Sequence, residues 1–337
     1  MSDVTQAKTA RASAPGKLVL CGEYAVLDGA PAICMAVDRR ARVEVASSDA
    51  TEHTVSAPGF TDVIGRCSDR HGALEWFAGA EEFKLVDDVW VTAGANAQSS
   101  LSIVLDSSEF RHVGNGSKIG IGSSAALAVA FAAALSELAS TVADVGSIAF
   151  AAHRRFQNGL GSGVDVACSL QGGLIEYSLV AGASRRLEWP AGVAHALLWS
   201  GVSSSTARKL SQLHRQDSQP SRAALVDAAK SVSRAWATDS AAVILEEFRA
   251  YTQVLHEFSI DHQLGIFDAG HAELLSAADA AGLVYKPCGA GGGDVGILLG
   301  DDAAAVASFI STELPAEFQE LDMQIDWQGV HVERQSN

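Results

Sequence analysis

The chain has 337 residues, with 24 Lys and Arg against 40 Asp and Glu, a formal net charge of −16. Hydrophobic residues make up 48% and charged residues 19%, enough apolar material for a large core; this argues against disorder and for two domains of ordinary size. The acidic balance argues against nucleic acid and anionic membranes as main partners, because their fields repel it, while a small anionic substrate stays open to local backbone dipoles.

In chain order, the first fifteen residues hold no apolar core of a signal peptide. Segments 17–23, 32–37 and 42–46 read as short strands, broken by Gly29 and Pro31. Residues 50–98 are mixed; Trp76, Phe77, Phe83 and Trp90 need packing partners that the sequence does not name. A strand is expected at 101–105, a helix from Ser123 to Leu138, a second helix from Val142 to Phe156, and a strand at 173–178. The Ala-rich run from Ile119 to Leu138 reads as a buried helix and lacks the large apolar residues of a membrane span.

Composition shifts between Gly182 and Gly192, and the domain boundary is placed there, giving 1–187 and 188–337. Helices are expected at 203–214, 221–236, 239–257 and 268–281, with strands at 195–200, 294–299 and 322–326. Strands and helices mix without regular alternation, which favours α+β over a doubly wound sheet. The five cysteines (Cys21, Cys34, Cys67, Cys168 and Cys288) are widely spaced with no CxxC pair, so neither a disulfide framework nor a zinc site is expected, and a cytoplasmic location is.

Three glycine-rich segments stand out. Gly120-Ile121-Gly122-Ser123-Ser124-Ala125-Ala126 sits between a strand and a helix, where free N–H groups and the helix dipole suit an anion. The same pattern also fits an ordinary serine-capped helix start. There is no GxxxxGK[ST], so it is not a Walker-type loop. Gly289-Ala290-Gly291-Gly292-Gly293-Asp294, after Lys286 and Pro287, is either a loop passing close to a ligand or a flexible turn; Cys288 reads as a packed small residue. In Gly159-Leu160-Gly161-Ser162-Gly163-Val164-Asp165, the Asp is either a helix-start residue or a carboxylate serving a phosphate site, as a base or as partner to a lysine. The candidate lysine is Lys17, which otherwise reads as a strand-edge residue.

Pro15-Gly16-Lys17 with Gly22-Glu23-Tyr24-Ala25-Val26-Leu27, then Gly120 to Ala126, then Cys288 to Asp294, resemble the three motifs of the GHMP small-molecule kinases in their order. Within that family the segments are most like those of the phosphomevalonate kinases. Lys118 precedes the second motif, Gly161 to Ala167 is similar to a GSGxDVA segment, and Ser200-Gly201 with Ser203 to Thr206 is similar to an SGxxxST segment. Lys286-Pro287-Cys288-Gly289 resembles a KPSGAGGGD loop with Cys288 in place of Ser. Eleven residues before Asp165, where mevalonate kinases carry a magnesium-binding Glu, this chain has Arg154, flanked by His153 and Arg155. An Arg there suits a substrate that already carries a phosphate, and it equally suits a solvated helix face.

The resemblance implies a two-domain α+β fold, with a mixed α/β N-terminal domain and a ferredoxin-like C-terminal domain. It implies an ATP- and Mg2+-dependent phosphotransferase of the mevalonate route to isoprenoids, acting on 5-phosphomevalonate. Lys17 and Asp165 would be catalytic. Lys118, Gly120, Gly122, Ser123, Ser124 and Ala125 would bind nucleotide, with Ser123 or Ser124 on the metal. Ser162, Arg154, Ser204, Ser205, Gly289, Ala290 and Gly291 would contact the acceptor. The partners implied are ATP and a small phosphorylated alcohol, with no nucleic acid and no membrane; a homodimer is compatible. The rival readings are a mevalonate, sugar or homoserine kinase, a diphosphomevalonate decarboxylase, and a ligand-binding regulator without catalysis.

Overall fold

The computed structural model describes residues 8–97, 99–139, 144–204, 206–213, 220–238 and 240–333. The first half supplies strands β1 (Thr9–Cys21), β2 (Ala32–Ser48), β3 (His53–Ala57), β4 (Thr61–Arg70), β5 (Ala73–Ala78), β6 (Ser100–Asp106), β7 (Leu174–Ser178) and β8 (Ala183–Leu187). Its helices are α1 (Lys84–Ala93), α2 (Ser123–Leu138), α3 (Val145–Phe156) and α4 (Val164–Gln171). The second half supplies β9 (Ala194–Trp199), α5 (Thr206–Leu213), α6 (Pro220–Thr238), α7 (Ala241–Asp261), α8 (His271–Ala280), β10 (Val284–Pro287), β11 (Val295–Gly300), α9 (Ala303–Thr312), β12 (Gln319–Leu321) and β13 (His331–Glu333).

The large sheet runs β13-β1-β2-β6-β3-β4-β5, with the β7–β8 hairpin paired to the start of β2. The two strands expected at 32–37 and 42–46 are one, because the polar Asp38-Arg39-Arg40 interruption is a bridge to the chain end rather than a turn. Arg40 reaches the Asp326 carboxylate and the Gly329 carbonyl (2.6 Å). The expected strand at 322–326 is reduced to a single bridge, Val37 to Ile325, because the chain turns there to meet Arg40 before β13 pairs with β1. The last strand of the chain therefore belongs to the first sheet.

Helix α2 is apolar all round rather than on one face, since β1, β2, α1, α3 and α4 enclose it. Among the described residues no helix is long and apolar enough to cross a membrane. In the 50–98 region Trp76 stacks on Phe83 at 5.9 Å and Trp90 is buried against His53, whereas Phe77 is exposed.

The second sheet is antiparallel in the order β10-β11-β9-β12. Helices separate β9 from β10 and α9 separates β11 from β12, so the order is that of a ferredoxin-like layer. Leu198, Leu274, Tyr285, Leu298, Phe309 and Phe318 fill the space between this sheet and helices α8 and α9.

Candidate active site

Strand β1 carries Lys17 past the turn that opens α2, and the Lys17 N–H donates to the Ile121 carbonyl at 2.8 Å. Helix α4 begins after Gly163, which puts Asp165 in its first turn. The Lys17 ammonium lies 3.2 Å from the Asp165 carboxylate, with both side chains mostly buried. Burial pulls the Lys17 pKa down, but Asp165 outweighs it and holds the group above the ordinary lysine value. Lys17 is therefore a fixed cation at neutral pH, suited to stabilising charge on a transferring group rather than to accepting a proton.

Gly120 (φ 93°) and Gly122 (φ 81°) shape the turn before α2 in the left-handed region. A Cβ on Gly122 would sit 2.7 Å from Lys17 Cε, and one on Gly120 would sit 2.1 Å from Asp294 Cγ. A side chain at either position is strained by the backbone and must displace Lys17 or Asp294. No side chain caps α2, so its first-turn N–H groups around Ser123, Ser124 and the buried Ala125 face the turn as an anion site would require. Ser124 Oγ lies 3.1 Å from His153 Nε2. His153 is buried, and burial keeps its pKa below the ordinary value, with Asp165 opposing and Lys17 adding to the fall.

The inward face of α3 is Ala149, Ala152 and His153. Arg154, one residue on, is exposed and is not part of the cleft lining, whereas its neighbour His153 is. Arg155 is committed elsewhere, 3.1 Å from Asp88. Helical phase carried the signal for His153, which continues the face of Ala149 and Ala152 at helical spacings of three and four, whereas Arg154 and Arg155 fall outside it.

The third glycine-rich segment closes over the first. Gly289 N–H donates to the Val19 carbonyl (3.3 Å), and Tyr24 Oη donates to the Ala290 carbonyl (2.7 Å). Gly291 instead packs against Ile266, away from the cleft. Cys288 is buried, and burial pushes its thiol up to about 12, which makes it a packed, unreactive residue. Lys286 is fully buried and donates to Glu23 and to the Pro287 carbonyl (2.7 Å). Tyr251 Oη donates to the other Glu23 oxygen at 2.6 Å and accepts from Gly22 N–H at 3.0 Å. Ser204 N–H donates to Asp294 Oδ1 (3.0 Å); Ser205 lies outside the described residues.

Between these segments lies a cleft. Its lining has polar residues, Lys17, Glu23, His153, Gln157, Ser162 and Asp165, and apolar ones, Val19, Val26, Leu27 and Val164. Gly289 and Ala290 border it. Two further lysines stand by the same loops. Lys118 is the most open, yet the surrounding protein holds its pKa below the ordinary value; Asp294 opposes the fall, and Lys17 and Arg111 add to it. Lys209, on α5, donates to the Gly265 carbonyl (3.0 Å) and is pushed down to about 8 by burial. Neither Lys209 nor Asp294 was singled out by the sequence motifs as a site residue.

The GHMP kinases N-terminal domain profile matches residues 96–173. The phosphomevalonate kinase of Streptomyces sp. (strain CL190) is 31% identical over 344 aligned residues, covering 87% of this chain and 90% of that protein. The chain belongs to the GHMP kinase family. This GHMP kinase is also 29% identical to the mevalonate kinase of Pyrococcus abyssi, over 84% of this chain and 86% of that one. Its fold matches the Streptococcus pneumoniae phosphomevalonate kinase solved with phosphomevalonate and AMPPNP, at a TM-score of 0.75 and 20% identity, covering 95% of this chain and 100% of that one. The protein is thus a phosphotransferase with the two-domain α+β fold of its family, and ATP is the co-substrate that family membership implies.

Proposed function

We propose that this kinase transfers the terminal phosphoryl group of ATP to the phosphate of (R)-5-phosphomevalonate, releasing ADP and 5-diphosphomevalonate. The observation that carries the reading is electrostatic. A chain of net charge −16 brings Lys17 to Gly122, Lys118 to within two residues of the Gly120 turn, and Lys209 to Gly292 of the loop that meets it. Two phosphate-bearing reactants must meet there, and their mutual repulsion is offset by cations more than by any other device. The long alignment with the Streptomyces phosphomevalonate kinase supports the same acceptor.

In this reading the N–H groups from Gly120 to Ala125 cradle the nucleotide phosphates. An oxygen of the acceptor phosphate attacks the terminal phosphorus in line, and the bond to the ADP oxygen breaks. Lys17 spans the attacking and transferring groups, and Asp165 orients Lys17. The acceptor phosphate is ionised near neutral pH, since its second pKa is about 6, so no base is needed. Ser162, Ser204, Gly289 and Ala290 contact the acceptor, and the apolar residues of the cleft accommodate its methyl-bearing carbon. Among the described residues no cluster of three or more His, Cys, Asp or Glu side chains could hold a metal. The residues fit a magnesium ion that arrives on the nucleotide, with Ser123 or Ser124 adding a hydroxyl oxygen; bound there, it would neutralise phosphate charge.

The P. abyssi mevalonate kinase relative sustains a second reading, in which the acceptor is the unphosphorylated alcohol. Phosphorus NMR of the product separates the two. Two coupled resonances of a diphosphate monoester are expected; a single monoester resonance formed from mevalonate would replace the proposal with the second reading. Release of carbon dioxide would indicate the decarboxylase instead.

A further inference from the structure

Asp294 ends the Gly291–Gly293 run in a left-handed conformation (φ 58°). Asn or Gly would hold that turn as well, so the turn does not account for a carboxylate. The side chain lies over Gly120, filling the space a Cβ there would need. Its Oδ1 accepts from Ser204 N–H at 3.0 Å, its own N–H donates to the Val202 carbonyl at 2.6 Å, and its carbonyl accepts from the Ser200 N–H (3.0 Å) and hydroxyl (3.1 Å). One residue therefore ties the third motif to the Ser200–Ser204 segment and sets a charge on the Gly120 turn.

The groups that face this carboxylate come from three elements. Lys17 lies on β1 with its Cε by Gly122, Lys118 stands two residues before Gly120, and Lys209 lies on α5 with its Nζ by Gly292; each acts on the carboxylate through its field. Lys209 also feels Asp268 and Arg208, and Lys118 feels Arg111. Lys17 has its own partner in Asp165, whereas Asp294 is the acidic group whose field raises Lys118.

We propose that Asp294 is a positioning residue for phosphoryl transfer: its carboxylate fastens the Ser200–Ser204 segment beside the nucleotide turn and supplies the negative field in which Lys118 and Lys209 stand there. The inference rests on the kinase activity, and on the proposed acceptor only for the choice of assay substrate. Burial pushes the carboxyl up to about 6, against the pull of Ser204 N–H and the three lysines. The positioning is therefore present above that pH and lost below it.

The test is kcat/KM for ATP from pH 5.5 to 8.5, at saturating phosphomevalonate, for the wild-type chain, Asp294→Asn and Lys209→Met. Asp294→Asn should lower the value about 10- to 100-fold at pH 7.5, the loss expected when a positioned group is displaced by about an ångström. The gap should narrow below pH 6, where the wild type loses the same charge. Lys209→Met removes a cation that favours the ionised carboxyl, so the acid limb should move to higher pH. A wild-type value for Asp294→Asn at pH 7.5, or a deficit constant across pH, overturns the proposal. Should Asp294→Asn not fold, an acid limb that stays in place in Lys209→Met overturns it alone. If the wild type turns over a different acceptor, the proposed function fails and the same series on that acceptor still decides the role of Asp294.

Discussion

Glu23 and Lys286 form an ion pair buried from solvent, although 263 residues separate them in sequence. Glu23 belongs to the first motif, Lys286 leads the third, and Tyr251 of α7 completes the set. Burial lowers the Lys286 pKa, but the Glu23 carboxylate outweighs it and holds the group above the ordinary lysine value. The pair joins the two halves of the protein at the cleft, which Glu23 lines.

Breaking it from one side leaves a buried charge without a partner. Lys286→Met should cost about 3–5 kcal/mol in urea unfolding, and Glu23→Gln together with Lys286→Met should recover most of that loss. A double variant as unstable as the single one would show that the charge pair is not what joins the halves.

Lys17→Met and Asp165→Ala should each lower kcat by about 10²-fold or more, because a preorganised charge at the transferring group is lost. Nucleotide affinity, measured by calorimetry, should change far less, since the backbone of the Gly120 turn remains. Wild-type turnover in both folded variants would remove these residues from the mechanism.

Gly120→Ala and Gly159→Ala form a matched pair. Both glycines have positive φ, so each substitution costs about 1 kcal/mol of backbone strain. Around Gly159 a Cβ meets nothing within 4 Å, whereas at Gly120 it meets the Asp294 carboxylate. Gly120→Ala should therefore weaken ATP binding at least about tenfold while Gly159→Ala leaves it intact, as read by titration calorimetry. Equal affinities would place the nucleotide elsewhere.

His271 anchors the third motif from α8, with Nε2 3.0 Å from the Gly293 carbonyl and Nδ1 2.7 Å from Tyr285 Oη. Burial pushes its pKa down from 6.5 to about 4, with the Gly293 carbonyl opposing. The unfolded chain then takes up a proton before the folded one does. Stability should fall as pH drops from about 6.5 and level off near 4, a loss of roughly 3 kcal/mol over that window. In His271→Gln that part of the acid dependence should vanish from urea titrations; an unchanged slope would assign it to other groups.

Much of the site was legible in the sequence. The glycine-rich turns alone left each segment open between a ligand site and an ordinary turn; the resemblance to the GHMP motifs is what put Gly120, Gly122, Lys17 and Asp165 in one expected site, and the fold sets Lys17 beside both Gly122 and Asp165. Helix α2 was readable from Ser123 to Leu138 because its composition is uniform. What escaped depends on three-dimensional phase and on long-range pairing. Arg154 was the residue eleven positions before Asp165, but the turn of α3 presents His153. Glu23 and Lys286 each look like surface charges until folding buries both. Lys209 sits on a short polar helix with no motif, and only the packing of α5 against Gly265 brings it to Asp294. Strands β3 to β5 and helix α1 were unread because their stabilising contacts, such as Trp76 on Phe83, join segments that carry no periodic signal.

Acceptor preference tests the central claim most directly. ADP release, followed by a coupled assay with magnesium-ATP, is compared for phosphomevalonate and mevalonate as kcat/KM. Lysines gathered around the Gly120 turn for two phosphate-bearing reactants predict a ratio of at least about 10² in favour of phosphomevalonate, since an unfilled anion subsite leaves its cations unpaired. A ratio near one, or a preference for mevalonate, would contradict the account.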